Sequence, residues 1–162
     1  GIDLSSKMLE EAMRTTRYDS LVRSDAQAFL RHEVKGGSVD LLVAADVLCY
    51  MGDLSGIMMA AAFALQKDGL FAFTVEAPDD TRRIRRATVD SRGFSLDASG
   101  RFVHRRDYVT RVAKSYGFRI CHVERSVGRR RSRDATAGPM YVQLFVVSLR
   151  ASLCEVDYGD GL

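Results

Sequence analysis

Apolar positions change their spacing from segment to segment along this chain, and the changes mark its elements. Met8, Leu9, Ala12 and Met13 recur at helical intervals, so a helix is predicted from about Lys7 to Thr15, with Ser5 or Ser6 as its cap. Glu10 and Glu11 lie early in it, where acidic groups suit a helix start. Tyr18 to Ser24 reads as a short strand ending at Asp25, and Ala26 to His32 as one or two helical turns. Lys35-Gly36-Gly37-Ser38 is a loop. Asp40 to Asp46 holds an unbroken apolar run, which predicts a strand covered on both faces, as in a parallel sheet. After Gly52-Asp53, Leu54, Ile57, Met58, Ala61 and Leu65 take the spacing of one helix face. Lys67-Asp68-Gly69 is expected to stop that helix, with Gly69 as a left-handed cap. Leu70 to Val75 is a second unbroken strand, so strand, helix and strand make a right-handed crossover unit.

The second half has a different texture. Ala77 to Gly100 is polar, arginine-rich and poorly periodic, and reads as a long loop with a turn of helix at most. A helix starts at Arg105 or Arg106, turns Tyr108, Val109, Val112 and Tyr116 inward, and ends at Gly117. Phe118 to Val127 and Tyr141 to Leu149 are strands, joined across the charged stretch 128–139 as an antiparallel hairpin. The fold class is therefore α/β: a Rossmann-like sheet, mostly parallel, closed by a C-terminal antiparallel hairpin. Residues 1–150 form one domain and 151–162 a loose tail.

Composition narrows the classes. A chain of 162 residues with 46% hydrophobic content suits one globular domain, and no apolar run approaches the roughly 18 residues of a membrane span. No secretory signal is visible, so the cytoplasm is the expected location. Cys49, Cys121 and Cys154 are an odd count without paired spacing; neither a disulfide framework nor a metal site is expected. The net charge is +3, clumped at Arg82, Arg83, Arg85 and Arg86 and at Arg129, Arg130, Arg131 and Arg133. Neither cluster has interleaved aromatic residues on which bases could stack, so both read as solvated loop charge rather than a nucleic-acid surface.

Gly1-Ile2-Asp3-Leu4-Ser5-Ser6-Lys7-Met8-Leu9-Glu10-Glu11-Ala12 places an Asp at a strand's carboxyl end just before a helix, where open α/β sheets hold the hydroxyls of a ribose. This segment resembles the second strand and helix of class I S-adenosylmethionine-dependent methyltransferases, which carry G-x-D-x-S-x-x-M-L-x-x-A there. The element order up to Leu149 is similar to that family's plan from its second strand onward. The resemblance implies S-adenosyl-L-methionine as cofactor, with Asp3 on the ribose hydroxyls and Leu4 against the adenine. It implies that Asp25 and Ala26 meet the adenine amino end, and that Ala45 and Asp46 lie where the methionine end meets the acceptor. The stretch Val43 to Leu54, with Gly100 to His104 and Tyr108, is also similar to predicted methyltransferases often fused to tetratricopeptide repeats, although no such repeat occurs here.

The expected activity is methyl transfer to a small-molecule or protein acceptor. Because the donor is already activated, positioning and proton removal are what the protein must supply. Asp46, His104 and the Tyr50 phenol are the candidate bases; Tyr50 and Tyr108 read first as packing residues. In the family a first strand with a glycine-rich turn precedes the Asp3 strand, whereas this chain opens at that second strand. The expectation is a fragment of the complete domain, with marginal stability or direct pairing of the Asp3 and Leu41 strands. The alternative is a non-catalytic remnant that acts as a binding or interaction module.

Overall fold

The structure, a computed structural model, describes residues 1–78, 92–130, 139–150, 152 and 154. Its first unit is strand β1 (Ile2–Asp3), helix α1 (Ser6–Arg14) and strand β2 (Val22–Arg23). Ser5 caps α1, its hydroxyl accepting from the Met8 N–H at 3.4 Å. Helix α2 (Ala26–His32) follows, capped by Asp25, whose Oδ1 accepts from the Ala28 N–H at 2.9 Å. Strand β3 (Val39–Ala44), helix α3 (Ser55–Ala64) and strand β4 (Leu65–Ala77) form the crossover unit. Two short strands, β5 (Phe94–Leu96) and β6 (Phe102–His104), precede helix α4 (Arg106–Ser115) and the hairpin of β7 (Arg119–Arg130) and β8 (Pro139–Ser148).

Helix α3 stops at Ala64, and Gly69 does not cap it. The chain turns straight into β4, where Leu65 already pairs with Val39. Gly69 lies inside the strand next to the register shift between Val39 and Leu41, where a Cβ would come within 2.8 Å of the Val39 carbonyl oxygen. The glycine serves close strand approach, not a left-handed turn. Gly117 does end α4 as expected, at φ +86.

Strand β4 is the spine. One edge pairs antiparallel with β8 from Leu70 to Ala77, and β8 in turn pairs with β7. The other edge carries β3 in parallel up to Phe73, then β6 in parallel at Glu76. The β5–β6 hairpin therefore occupies the edge of β4 just past the end of β3, which brings Arg101 over the carboxyl ends of both strands. Strands β1 and β2 form a separate parallel pair, and β1 does not join β3 directly.

The core lies on one side of the large sheet. Phe71, Phe73, Val75, Phe145 and Val147 point into it, against Leu54, Ile57, Met58 and Ala61 of the α3 region and Val109, Val112 and Ala113 of α4. The Phe73 and Phe145 rings stack at 5.3 Å across the β4–β8 pair. The opposite side is thinner. Leu41 and Val43 are 57% and 61% exposed, so β3 is not covered on both faces as its apolar run suggested. Met8 and Met13, from the predicted stripe of α1, are 58% and 66% exposed, and no residue of α1 is buried.

The cysteines also depart from expectation. Cys121 and Cys154 are joined by a disulfide, and Cys49 is free and buried. Cys121 sits at the register shift between Ile120 and His122, an irregular position on the edge strand β7, and Cys154 brings the chain end to it. An odd count hid this pair because one cysteine is simply interior. The arginines at 82–86, 131 and 133, and most of the tail 151–162, lie outside the described residues.

Candidate functional site

Polar groups lie at the carboxyl ends of β1, β3 and β4. Asp3 ends β1, its Oδ1 accepting from the Ser5 N–H at 2.7 Å. That bond is an Asx turn starting the link into α1. The other carboxylate oxygen has no partner among the described residues and remains available to a ligand. Leu4 beside it is 66% exposed, an apolar surface adjacent to a carboxylate. Arg23 donates from Nε to the Leu4 carbonyl at 3.1 Å and ties the ends of β1 and β2 together. Asp25 is exposed and engaged at one oxygen as the α2 cap, and Ala26 is half-buried next to it. A carboxylate with a vacant acceptor beside an exposed apolar side chain suits a ribose diol and an adenine face, so Asp3 and Leu4 fit the cofactor that the sequence implied.

At the end of β3 the backbone turns through Asp46 in the left-handed region, φ 58, with Ala45 exposed before it. The Asp46 N–H donates to Thr74 Oγ1 at 2.8 Å, which locks this turn to β4. Arg101 closes over it. Its Nη1 reaches Asp46 Oδ1 at 2.8 Å and Glu76 Oε1 at 2.9 Å, and its Nη2 reaches Asp46 Oδ2 at 3.0 Å and the Tyr50 hydroxyl at 2.8 Å. The guanidinium also lies 5.0 Å from the centre of the Tyr50 ring. The Asp46 and Glu76 carboxylates bonded to it push its proton affinity further up, so it stays cationic at every working pH. Two carboxylates face one guanidinium in this group. Asp46 is the outer one, its side chain 56% exposed, while that of Glu76 is 3% exposed, its Oε2 without a hydrogen-bond partner among the described residues.

Cys49 lies beneath, with burial pushing its thiol up to about 11, so it stays protonated and unreactive. Asp46, Cys49 and Glu76 each present a ligand atom within 4.8 Å of the others. Arg101 already supplies the positive charge that a metal ion would bring there.

His104 follows from β6 but points inward. It is 0% exposed, packed against the Phe94 and Tyr108 rings, and its Nε2 donates to the Gly52 carbonyl at 3.0 Å. Burial lowers its pKa, which keeps it neutral near pH 7. Tyr108 behaves as a packing residue with a structural hydroxyl: it accepts from the Leu54 N–H at 2.9 Å and donates to Asp53 Oδ1 at 3.1 Å. Backbone donation from Ser55 holds Asp53 below its ordinary value.

Asp46 and Tyr50 thus meet at one point, whereas His104 is set behind it. Arg101 and Glu76 are additions that the spacing did not single out. Glu76, the one acidic residue in the apolar run that follows Leu70, was the available signal.

Residues 1–73 match a family model described as a methyltransferase domain, a segment that contains Asp3, Leu4, Asp25, Ala26, Ala45 and Asp46. Over that segment the chain is similar to a methyltransferase domain, and its fold is that of solved S-adenosylmethionine-dependent methyltransferases. Solved structures share its fold. A methyltransferase from Methanosarcina mazei superposes with a TM-score of 0.66 at 13% identity, covering 91% of this chain and 80% of the other. One from Mesorhizobium loti reaches 0.61 at 22% identity, over 91% and 78%. The cyclase SpnF also superposes, at 0.65 and 12% identity, over 91% and 64%. No curated protein matches the chain in sequence. The solved structures from Methanosarcina mazei and Mesorhizobium loti are S-adenosylmethionine-dependent methyltransferases.

Proposed function

We propose that this domain transfers the methyl group of S-adenosyl-L-methionine to a small-molecule or protein nucleophile brought to the mouth formed by Asp46, Tyr50 and Arg101. What carries the reading is the presence of two differently built carboxylates, one ending β1 and one just past the end of β3. Asp3, with one oxygen vacant, suits the nucleoside. Asp46, fixed by Arg101, suits the acceptor side. When bound, the cofactor supplies a methyl group already activated as a sulfonium substituent.

In this reading Asp3 and Leu4 orient the nucleoside, and Asp25 and Ala26 border the adenine end. Ala45, small and exposed, leaves room where cofactor and acceptor approach. Asp46 accepts a hydrogen bond from the acceptor's N–H or O–H and receives its proton as transfer proceeds. Arg101 fixes the direction of that carboxylate through its two-pronged contact. His104 acts as a positioning residue: by holding the Gly52 carbonyl it sets the segment that carries Tyr50.

Calorimetric titration with S-adenosylhomocysteine tests the nucleoside site. Asp3→Asn keeps the acceptor for the Ser5 N–H but loses the charge, and should weaken binding by about tenfold or more. Equal affinity in the variant removes Asp3 from the ribose role, and no binding to the wild-type chain favours an interaction module. We further take the cytoplasm as the working compartment, where thiol reductants keep such cysteine pairs open. Thiol counting on protein trapped in intact cells should find Cys121 and Cys154 reduced; finding them bonded removes that location. Among the described residues no helix is long and apolar enough to cross a membrane.

A further inference from the structure

A cleft of about 460 Å³ runs between α4 and β7, separate from the residues grouped around Asp3 and Asp46. Its walls are Arg106, Thr110 and Lys114 from the helix, and Arg119, Ile120 and Val123 from the strand, with Cys154 at its border. Residues 106, 110 and 114 are spaced by four and share one helix face, spanning about 12 Å along its axis. Ile120 and Val123 give the floor an apolar character. Among the described residues the lining contains three cations, one hydroxyl and no carboxylate.

The three cations differ from the arginines that this molecule pairs or stacks. Arg14 pairs with Glu11, Arg101 with Asp46 and Glu76, Arg105 with Asp107, and Arg150 with Asp68. Arg111 and Arg125 lie over the Tyr108 and Tyr141 rings. Arg106, Lys114 and Arg119 have no acidic partner among the described residues, although they sit close enough to line one cavity. Like charges held together without a counter-ion repel, and a bound anion removes that repulsion.

We propose that this cleft is a second binding site, for a small phosphorylated molecule with an apolar body. A volume of about 460 Å³ falls in the range of small-ligand pockets, and an apolar floor with a few fixed polar groups is their usual composition. Guanidinium and ammonium groups lining one cavity suit phosphate oxygens, and the Thr110 hydroxyl adds a donor. A phosphate monoester is close to a dianion at neutral pH, so three cations select it over a monoanionic carboxylate. The site does not depend on the methyl-transfer reading, because none of its residues takes part in that reaction.

Titration of the full chain with phenyl phosphate, benzoate and benzyl alcohol, followed by calorimetry, tests the proposal. Phenyl phosphate should bind, benzoate more weakly, and benzyl alcohol not measurably. The double variant Lys114→Gln/Arg119→Gln should weaken phenyl phosphate by about tenfold or more, since each change removes one charge-assisted contact. Arg31→Gln, an exposed change on α2, should leave it unaltered, and circular dichroism should confirm that both variants are folded. Rising salt should weaken binding in the wild type and much less in the double variant. Absent binding of phenyl phosphate, equal binding of benzoate, or an unaltered double variant would each overturn the proposal.

Discussion

The two sheets of this molecule carry its two sets of candidate site residues under very different mechanical conditions. The small β1–β2 sheet holds Asp3 and Leu4 on two-residue strands, beside a helix with no buried residue. The large sheet holds Glu76 on β4 and Asp46 just past β3, and its spine, β4, is paired along both edges and buries Phe71 and Phe73 in a core shared with Phe118 and Phe145. Burial of apolar area, not local propensity, accounts for the contrast. Helix α1 has a capped start and a regular apolar stripe, yet its methionines face outward. Helix α3 has no side-chain cap of its own and is nevertheless anchored by Leu54, Ile57, Met58, Ala60, Ala61 and Ala64. The proposed nucleoside end of the site therefore stands on the weaker support, and the proposed acceptor end on the stronger.

The sharpest way to break this comparison is a pair of truncations. Phe73→Ala removes a ring stacked between β4 and β8 and should destabilise the domain by about 3–5 kcal/mol in urea denaturation. Met13→Ala on α1 should change it by no more than about 0.5 kcal/mol. Similar losses from both would mean that the N-terminal unit is as well anchored as the core. Next in size is Arg101→Met, which leaves the enclosed Glu76 carboxylate without its cation and should cost about 3 kcal/mol. Adding Glu76→Gln to that variant should recover much of the loss. A double variant as unstable as Arg101→Met would show that the guanidinium's value lies in packing.

Reduction of the Cys121–Cys154 bond closes the comparison from the other end of the chain. It releases a 33-residue separation that constrains the unfolded chain, and should lower stability by about 2–4 kcal/mol. Cys121→Ser should behave the same under oxidising conditions. An unchanged melting temperature in both would show that the crosslink constrains little.

The smallest effect concerns pH. Burial lowers the pKa of His104 in the folded state, so the unfolded chain binds a proton first as pH falls. The stability of the neutral, enclosed ring is fully present above the ordinary histidine value and is lost as pH drops below it. His104→Gln should flatten the stability profile across that acidic window. A profile of the same slope would assign the acid sensitivity to other groups.

Local chemistry made much of this molecule legible in advance. Helix α2 and the ends of α4 follow from caps, stripe and glycine, and β3, β4, β7 and β8 follow from their apolar runs. Asp3, Asp25 and Asp46 stood out because each ends a strand or strand-like segment before a turn or helix. Cover was not legible. An apolar run such as Leu41 to Ala45 records what a strand could bury, while its actual neighbours decide what it does bury.

Sequence by itself determined the alternation of strands and helices, the crossover through α3, the terminal hairpin and the carboxylates at strand ends. These are consequences of spacing within about twenty residues, where side-chain period and backbone preference act directly. Only the tertiary structure decided that Arg101 spans Asp46, Glu76 and Tyr50, that His104 is shut inside, that Cys121 meets Cys154, and that three cations line one cleft without an acidic partner among the described residues. Each of these joins positions distant in the chain, or sets how deep one of them lies, and the pairing of β6 beyond the end of β3 has no local signature. Local periodicity chose the elements; the edges of β4 chose their company.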